Sequence, residues 1–360
     1  TQAKIIAITG TNGKTTTTLL TYHLLKEAGF NVGVGGNIGN SFAAMVVDDV
    51  YDYYVLEISS FQLDDIETFK PYLSMILNIT PDHLDRYDHN MNLYADAKFR
   101  IAKNQSAEEV MIAGVDSPMI RERLEKLADD VQVFRFSKEA FEGTGASLVG
   151  SELVFRMFDG EEVTIPADVL PLYGRHNRLN ALAAISAALI VGVEGNQVVE
   201  GLRTFRNAAH RMELIATVNG VQYINDSKAT NVDAVYYALE GIEEPIVWIA
   251  GGVDKGNDYE QIALLVEQKV SHLIGLGTDN EALTDFFSNR VSSGWNGAIS
   301  ECRSMQSAVA KATAAAEEGM VVLLSPACAS FDLFKNYMDR GDQFRAEVME
   351  LARQKEKIAR

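Results

Sequence analysis

The segment Ile8-Thr9-Gly10-Thr11-Asn12-Gly13-Lys14-Thr15-Thr16 constrains this chain more than any other. The apolar run Ile5–Thr9 predicts a strand, two glycines open a loop, and a helix is expected over Thr15–Ala28. A strand that turns directly into a helix belongs to a parallel sheet covered by helices. Such a junction suits phosphate, because backbone N–H groups and the positive end of the helix converge on it. In that arrangement Lys14 bridges the β- and γ-phosphates and the Thr15 hydroxyl ligates Mg2+. The spelling is a variant, since Ile8 stands where the strict phosphate-loop pattern has its first glycine.

The rest of the chain repeats the alternation. Strands are expected at Tyr53–Ile58, Leu73–Ile79 and Val110–Ala113, with a helix over Asn90–Lys103. Between Ser137 and Pro166 the pattern shortens, and Asp159-Gly160 reads as a hairpin turn, so a small antiparallel insertion is expected there. An Ala-rich helix then starts near Asn177. Around Arg206–Arg211 the organisation restarts. Asn219-Gly220 joins two short strands, after which strands at Ile246–Ala250, Leu273–Leu276 and Val321–Leu324 alternate with helices. The fold class is therefore α/β. A P-loop-type ATPase domain, residues 1–207, precedes a Rossmann-like α/β domain, residues 208–360.

Composition narrows the function. A net charge of −18 argues against nucleic acid or an anionic membrane as a partner. The longest apolar stretch, Ala181–Val193, is too short to span a bilayer and reads as a buried helix. Cys302 and Cys328 have neither metal-type nor disulfide-type spacing, which suits a cytoplasmic protein. In so acidic a chain, the places where Lys and Arg stand beside Gly, Ser and Thr are the candidate anion sites.

Glu57 ends a strand, and His83 follows the next one in Asn78-Ile79-Thr80-Pro81-Asp82-His83-Leu84-Asp85. Both are delivered to the carboxyl rim of the sheet, where open α/β sheets bind ligands. Alone, each is an ordinary solvated or capping residue; together they form a candidate metal pair. In the second half, Asn225–Asn231, Gly251–Gly256 and Ser325–Asp332 each follow a strand and gather hydroxyls and cations, including Lys228 and Lys255, with Lys335 close behind. Singly these are helix-capping turns, but three at one rim suggest a site for an anionic ligand.

Thr9-Gly10-Thr11-Asn12-Gly13-Lys14-Thr15-Thr16 resembles the ATP loop of the Mur ligases and their folylpolyglutamate synthetase relatives. Glu57-Ile58-Ser59-Ser60, the Asn78–Asp85 segment and Ala97-Lys98 also stand where that family has them. The resemblance implies ATP on Thr11, Asn12, Gly13, Lys14, Thr15, Thr16 and Thr17. It implies two Mg2+ ions held by Thr15, Glu57, His83 and Lys98, the last carboxylated to a carbamate. Catalysis would involve Lys14, Glu57, His83 and Lys98. Asn37 and Ser60 resemble contacts to a nucleotide-sugar substrate, Asn180 an adenine- and phosphate-side contact, and Arg211 a phosphate contact. Ala209 stands where the family usually has Pro before His210.

The spellings of the three second-half segments resemble the D-glutamate-adding branch of the family. By that resemblance Thr230, Lys255, Ser330 and Phe331 hold the carboxylates of D-glutamate, while Asp226 and Lys228 face ATP. The implied reaction joins UDP-N-acetylmuramoyl-L-alanine to D-glutamate through an acyl phosphate, in a monomer whose two domains come together for chemistry. The resemblance also implies a uridine-binding domain ahead of the segment that begins at Thr1. The alternatives are another Mur ligase, a folylpolyglutamate synthetase-like ligase, or a P-loop module that binds nucleotide without ligase activity.

Overall fold

The computed structural model describes residues 1–127, 131–170, 172, 174–292 and 294–358. The chain divides into two compact units, Thr1–Leu172 with His176–Arg206, and Tyr173–Arg175 with Asn207–Arg360.

The first unit is built on nine strands: β1 (Lys4–Thr9), β2 (Val32–Gly36), β3 (Tyr53–Glu57), β4 (Leu73–Ile76), β5 (Val110–Gly114), β6 (Gln132–Ser137), β7 (Gly145–Val149), β8 (Glu152–Arg156) and β9 (Glu162–Pro166). They lie in the order β2-β3-β1-β4-β5-β6-β7-β8-β9. Pairing is parallel from β2 to β7, and antiparallel from β7 through β8 to β9. The expected antiparallel insertion is thus a meander added to the main sheet, with β7 pairing parallel to β6, and does not stand apart. Asp159-Gly160 does make the β8–β9 turn, where Gly160 takes a φ of 88°.

Both faces of this sheet are buried, which is why β1 and β3 read as continuous apolar runs rather than alternating ones. On one face Ile6, Ile8, Val55 and Met75 pack under Leu20, Leu24 and Leu25 and the Ala-rich segment Ala181–Ala188. On the other, Ala7, Leu56 and Ile76 pack under Tyr94, Ala95 and Ile101. The helix Arg175–Val191 carries seven fully buried apolar side chains between Ala181 and Ala188, with Ser186 buried among them, so its apolar character reflects a core position. No helix among the described residues is long and apolar enough to cross a membrane.

The second unit holds β10 (Glu213–Val218), β11 (Val221–Asn225), β12 (Ile246–Ala250), β13 (Val270–Leu276), β14 (Ala298–Cys302) and β15 (Val321–Leu324), in the order β10-β11-β15-β12-β13-β14. Only the β10–β11 hairpin is antiparallel. Because β11, β15 and β12 are neighbours, the loops after them emerge side by side at one rim. The order reverses between β15 and β12, which makes this the crevice where open sheets bind ligands.

Trp248 is fully buried on β12, and its indole N–H donates to the Ser325 carbonyl at 2.7 Å, tying that strand to the loop after β15. Trp248→Phe removes this donor and part of the packed volume. Denaturant unfolding should show a loss of about 2–4 kcal/mol; an unchanged midpoint would mean that the contact carries no stability.

Candidate functional site

Each unit carries its own cluster of candidate residues. In the first, the helix Lys14–Glu27 begins at Gly13, whose φ of 83° lies in the left-handed region that favours glycine. A Cβ at Gly13 would also collide with the amide of Asn180, so Asn180 lies directly over the loop. Asn180 is buried and donates to Asn177 Oδ1 at 3.0 Å.

The loop is latched from below by a residue to which the sequence assigned no role. Asn78, just past β4, accepts from the Asn12 amide through Oδ1 at 2.8 Å and donates through Nδ2 to the Asn12 carbonyl at 3.1 Å. Its own carbonyl accepts from the Thr11 amide at 3.0 Å. The Thr11 and Asn12 amides are therefore committed to Asn78. The Thr11 hydroxyl donates to the Thr80 carbonyl at 3.1 Å and lies 3.2 Å from the Tyr94 hydroxyl. Thr16 and Thr17 are buried. Thr17 is fully so, and its amide donates to the Gly13 carbonyl at 3.0 Å.

Two of the expected residues converge on Glu57, at the carboxyl end of β3. Thr15 Oγ1 donates to its Oε2 at 2.7 Å and Asn37 Nδ2 to its Oε1 at 2.8 Å. The carboxylate is almost wholly buried. Nearby, Lys14 Nζ donates to the carbonyls of Gly10 at 2.8 Å and Thr11 at 2.7 Å. Lys98 Nζ donates to the same Gly10 oxygen at 2.8 Å and lies 4.4 Å from the centre of the Tyr94 ring. Lys98 is 1% exposed. Burial, reinforced by the neighbouring Lys14 charge and opposed by Asp82, pushes its amine down to about 7.

His83 is less integrated. Its side chain is 52% exposed, lies 3.6 Å from Asp82 Oδ2 and meets the Phe61 ring edge to face at 5.0 Å. Ser60 is buried, and the Tyr87 hydroxyl donates to Asp64 Oδ2 at 3.1 Å. No group of three or more His, Cys, Asp and Glu side chains among the described residues could hold a metal. Glu57 and Thr15 nevertheless give the oxygen donors that a hard cation prefers. A carbamate on Lys98 would add further oxygens beside the Gly10 carbonyl and Lys14.

In the second unit the three loops are knitted together. The Asp226 amide donates to Leu324 at 2.7 Å, Ala327 to Ala229 at 3.0 Å, and Gly251 to Pro326 at 2.9 Å. Val253 and Ala329 exchange both hydrogen bonds. Arg340, 1% exposed and also unassigned by the sequence, donates to Ser227 Oγ at 3.0 Å, to the Ser227 carbonyl at 2.9 Å and to the Cys328 carbonyl at 3.1 Å.

Asp226 accepts from the Met212 amide at 3.2 Å and from Ser325 Oγ at 2.9 Å. Burial pushes its carboxyl up to about 7, against those two hydrogen bonds and the nearby Arg211 charge. Lys228 lies 5.5 Å from the Tyr337 ring centre. Thr230 is half-buried, Lys255 exposed and Ser330 buried, while Phe331 is 71% exposed and points away from the core.

The Mur ligase middle domain matches residues 8–188, and the Mur ligase glutamate ligase domain matches residues 210–328. The chain belongs to the Mur ligase family. This Mur ligase is 46% identical over 350 residues to the UDP-N-acetylmuramoylalanine–D-glutamate ligase of Cytophaga hutchinsonii, covering 97% of the chain and 77% of that relative. It is 47% identical over 353 residues to the protein of the same name from Porphyromonas gingivalis, covering 98% and 77%. Among solved structures it is similar to MurF of Acinetobacter baumannii, with a TM-score of 0.69 and 20% identity over 97% of the chain and 77% of that protein. UDP-N-acetylmuramate–alanine ligase of Thermotoga maritima gives a TM-score of 0.66 at 20% identity, covering 97% and 76%. These two likenesses speak to the fold alone.

The latch by Asn78 yields a test. Asn78→Ala removes two hydrogen bonds to Asn12 and should weaken binding of Mg-ATP by roughly tenfold in calorimetry. Equal affinity in variant and parent would show that the loop holds its shape without Asn78.

Proposed function

We propose that this Mur ligase joins UDP-N-acetylmuramoyl-L-alanine to D-glutamate at the expense of ATP, in the cytoplasmic assembly of peptidoglycan precursor. The observation that carries the choice of acceptor is the likeness, over nearly the whole chain, to ligases named for D-glutamate. The knitted rim after β11, β15 and β12 supports it, since Lys255, Thr230 and Ser330 all belong to these three loops.

In this reading residues 1–207 carry the ATP site and residues 208–360 the amino-acid site. The first turn of the helix at Lys14 and the Lys14 amine take the phosphates, and Asn180 covers the loop. Arg211, Asp226 and Lys228 also bind ATP. Asn37 and Ser60 orient the nucleotide sugar beside Glu57. Thr15, Glu57, His83 and a carboxylated Lys98 hold Mg2+, which when bound offsets the negative charge that gathers on the phosphates.

Chemistry then needs two displacements. A carboxylate oxygen of the nucleotide-sugar substrate attacks the γ-phosphorus, the bond to the leaving ADP oxygen breaks, and an acyl phosphate forms. The D-glutamate amine next attacks the acyl carbon, a C–N bond forms, inorganic phosphate departs and the amine gives up a proton. Lys14 stabilises charge during the first step, the electrostatic contribution that dominates phosphoryl transfer. Lys255, Thr230, Ser330 and Phe331 fix the acceptor so that its amine, rather than water, meets the acyl carbon.

Phosphate release should be stimulated by D-glutamate when ATP and UDP-N-acetylmuramoyl-L-alanine are both present. Lys255→Ala should raise the KM for D-glutamate at least about tenfold with the KM for ATP nearly unchanged, because only the acceptor loses a charge partner. Better turnover with L-alanine or meso-diaminopimelate would assign the chain to another acceptor.

A further inference from the structure

We propose that Tyr259 is a positioning residue for the acceptor: its hydroxyl, acting through Asp254, holds the loop that carries Lys255 and so sets the affinity for the amino acid. This rests on the assignment of Lys255 to the acceptor site.

Loop 254–257 is closed by one carboxylate. Asp254 Oδ1 accepts from the Gly256 amide at 2.7 Å and the Asn257 amide at 2.9 Å, while Oδ2 accepts from the Tyr259 hydroxyl at 2.6 Å. Burial alone would raise the Asp254 carboxyl, but these three donors outweigh it and hold the group below the usual carboxylate range. Tyr259 is in turn fixed, because it is 4% exposed and its ring meets Phe286 at 5.9 Å and Phe287 at 6.1 Å. The same cluster reaches the neighbouring loop. Asn257 Nδ2 donates to the Tyr259 hydroxyl at 3.2 Å, to the Ala327 carbonyl at 3.2 Å and towards Cys328 Sγ at 3.4 Å. The loop bearing Lys255 is thus set against the loop bearing Ser330 by a buried polar cluster anchored on one aromatic ring.

There is an electrostatic consequence. Asp254 precedes Lys255 in the chain, and an unengaged carboxylate there would compete with the substrate carboxylate for the Lys255 ammonium. With both Asp254 oxygens occupied by donors, that competition is suppressed. Loss of the Tyr259 hydroxyl releases Oδ2 while leaving the ring, its packing and the two amide bonds to Oδ1 in place.

The experiment is a set of steady-state assays on Tyr259→Phe, Asp254→Asn with Tyr259→Phe, and Lys255→Ala. Tyr259→Phe should raise the KM for D-glutamate about fivefold, with kcat and the KM for ATP close to the parent. Adding Asp254→Asn removes the competing charge and should recover most of that loss, which a general loosening of the fold would not allow. An unchanged KM for D-glutamate in Tyr259→Phe overturns the inference. So does an equal rise in the KM for ATP, or a double variant no better than the single one. Lys255→Ala separates the two levels. If it too leaves the KM for D-glutamate unchanged, the acceptor assignment itself fails; if it raises that KM while Tyr259→Phe does not, the positioning role alone is lost.

Discussion

Two lysines donate to one carbonyl oxygen. The amines of Lys14 and Lys98 both reach the Gly10 oxygen at 2.8 Å, in a pocket where Lys98 is almost wholly excluded from water. Two ammonium ions cannot share such a place without cost, since burial and like charge act in the same direction. The structure meets the conflict by lowering Lys98 towards neutrality, to about 7. A neutral amine is also the form that can react with carbon dioxide, and the carbamate so formed reverses the sign of the charge. In the proposed function the same crowding would prepare Lys14 for phosphate, because an anion at the helix start offers a stronger partner than a carbonyl.

The surrounding architecture serves this arrangement. Glu57 is pinned by Thr15 and Asn37, which lie on the phosphate helix and just beyond β2. Asn78 pins the loop from beyond β4. The loops after β1, β2 and β4 thus meet Glu57 or one another because their strands are neighbours in a sheet buried on both faces. In the second unit Arg340 performs a comparable service with an opposite design. A buried guanidinium, lowered to about 10 by desolvation, gathers backbone carbonyls from loops that would otherwise have only short hydrogen-bonded contacts.

Much of this was legible in the sequence, and the exceptions have physical reasons. The phosphate loop and the strands Ile246–Ala250 and Val321–Leu324 declared themselves through apolar runs ending in Gly, Ser or Thr. Strand β2 did not, because Val32-Gly33-Val34-Gly35-Gly36 is mostly glycine, and its glycines make room for Tyr51, Met45 and the Glu57 backbone. Strand β14 was hidden by its polar Ser300 and Glu301, which edge position permits. Residues whose role is to hold others carry no local signature. Asn78 read as part of the strand Leu73–Ile79, while Arg340 and Tyr259 drew no functional assignment.

The most direct test concerns the charge on Lys98. Protein equilibrated with 13C-labelled bicarbonate can be followed by carbon NMR across pH 6 to 9 (about one unit below to two above the Lys98 value). The account predicts a carbamate resonance that grows as pH rises through about 7, is lost on acidification, and is absent from Lys98→Arg. An active enzyme that shows no such resonance at any pH in this range would contradict it.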